Sequence, residues 1–340
     1  SSPPPNLTAV VDAINIAADA ALRNQWPTGQ SKCDYHAVHA EWYDYEQIWH
    51  TGRLAAGLVA ARDVLTDRVE ELDSASRKAG EWWRSQASKK SETKGLILSV
   101  DTREGGYGCI TDACGITEDL TDVSDGSRGM FMLTNALAET AYADAATASA
   151  IWQLDHMAIG EKPGLYWNVV NLSTGVPIQG PLTEQRTNLE GSLFLDACLH
   201  LNRTGNNDNN NTVVAQRLCD AFLTQSDLSV AEQDENGLWL QWQPNDPSTN
   251  RMHPRFNTWY SLSLLDAAEF VASPAGGSNL SRAKQYVTAA TKTASTLAAV
   301  QQSSGTIYYW NTISTTGGAP LPTKNAPCGS AVALALRLWL

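Results

Sequence analysis

The sequence predicts an all-α fold, an incomplete (α/α)5 toroid or barrel of about five helical hairpins with short extended segments in its loops. Three observations predict it. A glycine-led apolar and aromatic segment returns at intervals of roughly seventy residues. Two helical patterns lie between successive copies. The first helix after each copy is apolar nearly all round, whereas the second is more polar.

The four clear copies are Gly95-Leu-Ile-Leu-Ser-Val, Gly164-Leu-Tyr-Trp-Asn-Val, Gly237-Leu-Trp-Leu-Gln-Trp and Gly305-Thr-Ile-Tyr-Tyr-Trp, and Asn24-Gln-Trp-Pro reads as a degenerate first copy. Each is short, apolar and Gly-led, the pattern of a strand or extended loop. The helical patterns begin with 7–23, capped by Asn6. After the first copy come 41–66 and 68–90. After the second come 126–142, behind a cap at Asp125, and 144–157. The third is followed by 188–203 and 211–226, and the fourth by 255–272, with Pro254 suited to a first turn, and 279–301. The last copy leads to 328–339, which takes 7–23 as its hairpin partner. Met130-Phe-Met-Leu and Ala331-Val-Ala-Leu-Ala-Leu suit the inner layer; Glu70-Glu-Leu-Asp and Ala283-Lys-Gln suit the outer one. An open solenoid is disfavoured because its repeats usually run ~20–45 residues. Residues 1–340 therefore read as a single toroid domain.

Composition narrows the function. With 24 Lys+Arg against 36 Asp+Glu, the formal charge is −12, which excludes the basic face that nucleic acid requires. At 43% hydrophobic and 18% charged, the chain can bury a large core. No apolar run reaches the ~18 residues of a membrane span. Six cysteines fit disulfides, and the pairing Cys33–Cys328, Cys109–Cys114 and Cys198–Cys219 suits the hairpin plan, although six thiols allow about fifteen pairings. None stands in a CxxC pattern with nearby His, which disfavours a zinc site; nothing in the sequence demands a cofactor, and a stabilising divalent ion in a loop stays open. Sequons occur at Asn6, Asn171, Asn202, Asn210 and Asn279, and the opening SSPPPNLT reads as a mature terminus. A secreted, extracellular, monomeric glycoprotein is the expectation. Twelve Trp against five Phe supply flat apolar faces with one N–H donor, suited to sugar rings as well as cores.

The plan resembles the α/α-toroid superfamily of six-hairpin glycosidases and polysaccharide lyases. Five hairpins are more similar to the toroids of alginate lyases and of the N-terminal domain of chondroitin lyases. The resemblance covers nearly the whole chain, as architecture without a family-specific string, and it implies a carbohydrate substrate.

Polar residues at the inner-helix starts are the first candidates for a site. The first inner helix offers His36, His39, Glu41, Tyr43, Tyr45, Glu46 and His50. The second offers Asp125, Ser127 and Arg128, the third Asn188 and Glu190, and the fourth His253, Arg255, Asn257 and Tyr260. His253 and Tyr260 are seven apart, so on a helix they share a face. Such a cluster is what β-elimination of a uronic acid requires. Asn188 and Arg255 would neutralise the carboxylate beside the C5 proton. His253 or Tyr260 would take the proton, and Tyr260 would return one to the leaving oxygen.

In alginate-lyase-like toroids an Asn on one inner helix faces an Arg and a Tyr on the next, an order that Asn188, Arg255 and Tyr260 resemble. There the Asn is followed at once by His, whereas here Leu189 and Glu190 follow. The base therefore stays open among His253, His39 and His50. Trp167, Trp239, Trp242 and Trp310 lie on or near the loop copies, and Tyr107 in the polar loop that starts at Asp101. Arg128, His50, Glu46, Asn257, Trp239, Trp167 and Tyr107 are accordingly the candidate substrate contacts.

Bland readings stand beside these. His253 also reads as a turn residue before Pro254, Tyr260 as a core aromatic, and Asp125 with Arg128 as a helix-start pair. Three functions follow. The first is a lyase on an anionic, uronic-acid polysaccharide. The second is an inverting glycoside hydrolase using two of Asp125, Glu190, Glu41 and Asp101 at about 6.5–9.5 Å. The third is a non-catalytic glycan-binding ring.

Overall fold

The computed structural model describes residues 7–36, 40–43, 47–99, 116–117, 120–179, 184–185, 192–204, 209–242, 251–308, 311–312, 321–322 and 328–339. Among them are ten α-helices: α1 (Leu7–Arg23), α2 (Gln47–Arg62), α3 (Val69–Ser85), α4 (Leu120–Leu137), α5 (Ala141–His156), α6 (Leu193–Thr204), α7 (Asn209–Glu232), α8 (Pro254–Ala272), α9 (Leu280–Val300) and α10 (Gly329–Trp339). Short strands occupy the loops: β1 (Cys33–His36), β2 (Glu41–Tyr43), β3 (Ile116–Thr117), β4 (Tyr166–Trp167), β5 (Val170–Asn171), β6 (Val176–Pro177), β7 (Glu184–Gln185), β8 (Arg251–Met252), β9 (Asn311–Thr312) and β10 (Leu321–Pro322). The fold is of the α/α-toroid class that the repeat predicts.

The chain forms two compact units. One comprises Ser1–Ile159, Tyr166–Thr187 and Leu193–Cys219; the other comprises Gly160–Leu165, Asn188–Ser192 and Asp220–Leu340. In the first, the inner helices α2, α4 and α6 pack in succession, with α3 and α5 as their outer partners. In the second, inner helices α8 and α10 pack on each other and on outer α9.

Burial follows sequence period. Outer α3 buries Leu72, Ala75, Ser76, Ala79, Gly80 and Trp83, a stripe at helical spacing, and leaves its acidic face exposed. Inner α8 buries residues all round, including Trp259, Tyr260, Leu264 and Phe270. Asn279 caps α9 by accepting the Arg282 N–H at 3.0 Å, and Pro254 opens α8 without forfeiting a hydrogen bond.

The repeat is visible in the backbone. Its glycines, Gly29, Gly95, Gly164, Gly237 and Gly305, all have positive φ, between 81° and 99°. Gly29 thereby completes the degenerate first copy. In four copies one loop bond recurs at 2.8 Å: Trp26 N–H to the Gln30 carbonyl, Ser88 to Leu96, Asp234 to Leu238 and Gln302 to Thr306. The second residue after the glycine plugs the core where it is apolar, as in Ile97, Tyr166, Trp239 and Ile307, and the third is half-buried. These are the extended segments expected from sequence.

Several helix starts depart from expectation: α5 begins at Ala141 and α6 at Leu193, with Ser192 at a φ of 54° before it. The first inner helix begins at Gln47, because Glu41–Tyr43 pairs with Cys33–His36 as a hairpin, His36 opposite Glu41. The second begins at Leu120, so Asp125 lies inside α4 and is no cap. The Asp125 carboxylate is paired with Arg53 of α2 instead. Gly126 and Gly129 are helical as well: a Cβ at Gly129 would run into the Gly52 carbonyl, so these glycines let the α2 and α4 backbones touch.

Cys198 and Cys219 form a disulfide between α6 and α7, with Cα atoms 5.6 Å apart, as expected. The pairings drawn for Cys109–Cys114 and Cys33–Cys328 involve side chains outside the described residues; Cys328 itself is buried. No described helix is long and apolar enough to cross a membrane.

Candidate functional site

The start of α8 is the most densely built of the predicted clusters. His253 occupies the cap position in extended conformation, and Pro254 begins the helix. Asn257 brackets the loop to the helix: its Nδ2 donates to the His253 carbonyl at 2.9 Å, and its Oδ1 accepts the Trp239 N–H at 3.0 Å. The Trp239 indole donates to the Ser229 carbonyl at 2.8 Å. Tyr260 stands edge-on to Trp239 and Trp242, with centroids 5.5 and 5.1 Å away. The Trp242 indole donates to Glu232.

Two readings change here. Asn257 and Trp239 are 0% exposed and spend their polar groups on the fold, so neither offers a surface to a sugar. Trp239 is drawn inward because it is the second residue after the repeat glycine, the plug position. Tyr260, 1% exposed, and His253, 0% exposed, are also core side chains. Burial, and then the Arg255 charge, push the His253 imidazole down to about 3. It stays neutral at physiological pH and is a weak base.

Arg255 is the half-buried cation of this cluster. Its guanidinium lies 4.1 Å from the Trp259 ring centroid and 5.2 Å from that of Phe256. Two aromatic rings hold the planar group in place. The first turn of α8 contains no acid, so the helix N-terminus adds positive potential. The Phe256 and Trp259 clasp was overlooked in the sequence, although Arg-Phe-x-x-Trp spacing carries it.

A second cluster lies at the starts of α2 and α4. The His50 ring stacks on Trp49 with centroids 3.9 Å apart, and both are half-buried. Arg53 Nε donates to Asp125 Oδ2 at 3.1 Å and Nη2 donates to Oδ1. Ser127 Oγ donates to the Ser124 carbonyl, and Arg128 is half-buried. α2 has no acid in its first turn. Arg53 was not singled out from sequence, since nothing local marks its partner 72 residues away.

Trp167, in β4, is half-buried and lies opposite Glu184 of β7. Asn188, Glu190, Glu46 and Tyr107 fall outside the described residues, as do His39, Tyr45, Asp101 and Trp310. Among the described residues, no group of three His, Cys, Asp or Glu is arranged to hold a metal. Two cavities, of about 540 and 470 Å³, lie against the outer helices and not at the inner-helix starts.

No protein-family model and no curated protein matches the chain in sequence. Its likeness to solved structures is to α/α-toroid carbohydrate-active enzymes. A possible member of the GH105 family from Salmonella enterica serovar Paratyphi A is 14% identical with a TM-score of 0.52, over 97% of this chain and 94% of that one. The GH76 alpha-mannanase from Bacteroides thetaiotaomicron is 12% identical with a TM-score of 0.54, over 86% and 68%. A polysaccharide lyase is 14% identical with a TM-score of 0.54, over 96% and 82%. At such identities the likeness is one of fold.

Proposed function

We propose that this protein is a carbohydrate-active enzyme that cleaves a uronic-acid-containing polysaccharide by β-elimination. The observation that supports this reading is Arg255, clasped by Trp259 and Phe256 in an acid-free first turn of inner helix α8. A uronate C5–H is poorly acidic until its carboxylate charge is neutralised, and a preorganised guanidinium does this in the transition state. Arg255 is assigned that role. His253, whose ring lies 4.8 Å from that of Phe256, is assigned the support of the Arg255 platform and Tyr260 the packing of Trp239 and Trp242; being buried, neither is assigned proton transfer.

Glycoside hydrolysis is the second reading. It is favoured by the likeness to the GH76 alpha-mannanase and the possible GH105 member.

The test is incubation with glucuronan, alginate, pectic and neutral glycans, following unsaturated-uronide absorbance and reducing ends together. A rise in absorbance on an acidic glycan is the expected result. New reducing ends without absorbance would establish hydrolysis, and no product from any glycan would sink both enzyme readings for that panel. Secretion is part of the proposal, resting on the six cysteines and the sequons. A mass decrease on enzymatic removal of N-glycans from the native protein checks it.

A further inference from the structure

We infer that the cavity between the end of α1 and α3, built around Trp26, is a second binding site for acidic polysaccharide, on the outer layer and separate from the inner-helix starts. The inference rests on the proposed substrate class.

Trp26 breaks the pattern of its own repeat. Its N–H makes the same 2.8 Å loop bond as Ser88, Asp234 and Gln302 in the other copies, so the backbone role needs no particular side chain. In those copies the side chain braces its own loop. Ser88 Oγ shares a 2.7 Å hydrogen bond with Thr93, Asp234 Oδ2 accepts the Leu240 N–H at 2.9 Å, and Gln302 Nε2 donates to the Val300 carbonyl at 2.9 Å. Trp26 is instead half-buried and lines a cavity of about 470 Å³, within the range of small-ligand sites. Gln25 holds this loop to α3 by donating to the Gly29 and Ala75 carbonyls, at 3.0 and 2.9 Å.

The opposing wall determines the class of ligand. Glu71, Ser74 and Lys78 follow one another at three- and four-residue spacing along α3 and all line the cavity. Glu71 is paired with Arg68 at 2.8 Å, and Arg68 also meets Asp19 at 2.8 Å, so the acid on this wall is only partly balanced. Lys78 has no ion pair among the described residues, and its side chain is exposed. Lys32 Nζ sits 4.8 Å from the Trp26 ring centroid while donating to the Arg23 carbonyl. An indole held by Lys32 over its ring, beside a hydroxyl and the Lys78 ammonium, matches a sugar ring that carries a carboxylate: the C–H face packs on the part of Trp26 that lines the cavity and the carboxylate meets Lys78.

The test uses the whole protein. The Trp26 indole N–H resonance, assigned by its disappearance in Trp26→Phe, is followed while a uronic acid disaccharide is titrated in. In parallel, native electrophoresis is run through gels containing acidic or neutral polymer. The expected result is a saturable shift of the Trp26 resonance, weakened about threefold in Lys78→Gln, and retardation by acidic polymer weakened about tenfold in Trp26→Ala. Lys78 is an exposed helix residue, so its variant tests the site even if Trp26→Ala does not fold. A Trp26 resonance that stays in place, or one that a neutral disaccharide moves equally well, overturns the inference. Neither readout requires turnover, so a protein that cleaves no glycan yet shows the shift would fail the proposed reaction and keep this site.

Discussion

Arg53 on α2 holds the carboxylate of Asp125 on α4 through both Nε and Nη2, and Asp125 is 1% exposed. The pair ties two inner helices at the place where Gly52 and Gly129 bring their backbones together. Such a pair adds little over an apolar equivalent, but removing one partner strands a buried charge. Arg53→Met is therefore expected to destabilise the protein by about 3–5 kcal/mol, and Arg53→Met with Asp125→Leu to recover part of the loss. Urea unfolding of the single and double variants checks this; additive losses would show that the two residues act independently.

The repeat glycines differ in what surrounds them. A Cβ at Gly237 would lie 2.6 Å from the Lys292 backbone carbon, whereas one at Gly305 meets nothing within 4 Å. Both have φ near 80°. Gly305→Ala should cost about 1 kcal/mol, from the left-handed backbone alone. Gly237→Ala should cost about 3 kcal/mol, because α9 must also move. Thermal denaturation of the two variants makes the comparison, and equal losses would show that the contact with α9 is unimportant.

His253 ties stability to pH. Its imidazole is lowered from 6.5 to about 3 in the folded chain, chiefly by burial and then by Arg255. The folded state thus keeps it neutral while the unfolded chain binds a proton below its ordinary value. The stability it contributes is complete above about pH 6.5 and is lost as pH falls towards 3, by up to about 1.4 kcal/mol per pH unit. Stability measured from pH 7 to 4 should fall less steeply in His253→Gln than in the wild type.

The Cys198–Cys219 disulfide closes a loop of 21 residues between α6 and α7. Loop-closure entropy gives such a link about 3 kcal/mol. Cys198→Ala with Cys219→Ala should lower the melting temperature, with the helical content of the folded state retained in circular dichroism.

Arg255 distinguishes charge from geometry. Lysine would keep the charge and lose both the planar fork and its stacking on Trp259 and Phe256. On an acidic glycan, Arg255→Lys is expected to lower kcat/KM by at least about tenfold, and Arg255→Ala by about a hundredfold. An Arg255→Lys enzyme of full activity would reduce the role of Arg255 to simple charge.

The architecture was legible because it is written as a period. The Gly-led segments recur, each demands a positive φ, and the helical stripes between them face a core, so the hairpin order follows from local chemistry. The bounds of α8, α9 and α10 lie within a residue of expectation, since Pro254, Asn279 and Cys328 mark them locally. The start of α4 was not legible: Asp125-Gly126 has the composition of a turn, and in the fold the carboxylate is paired with an arginine 72 residues earlier. Arg255 could be picked out as a cation at an inner-helix start, but its clasp by two aromatic rings needed helix geometry to be seen.

By itself the sequence determined the helical class, the five-fold repeat and the net acidic charge, and it admitted the Cys198–Cys219 link as one of several pairings. All of these depend on residues near one another in the chain or on totals over it. Tertiary structure alone decided which aromatic and polar residues face solvent. It put Trp239, Asn257, His253 and Tyr260 in the core, and it left Arg255, Trp167 and Trp26 half-buried. A side chain's type shows what it can bind, but whether it meets a ligand or a neighbouring helix depends on packing against residues far away in sequence.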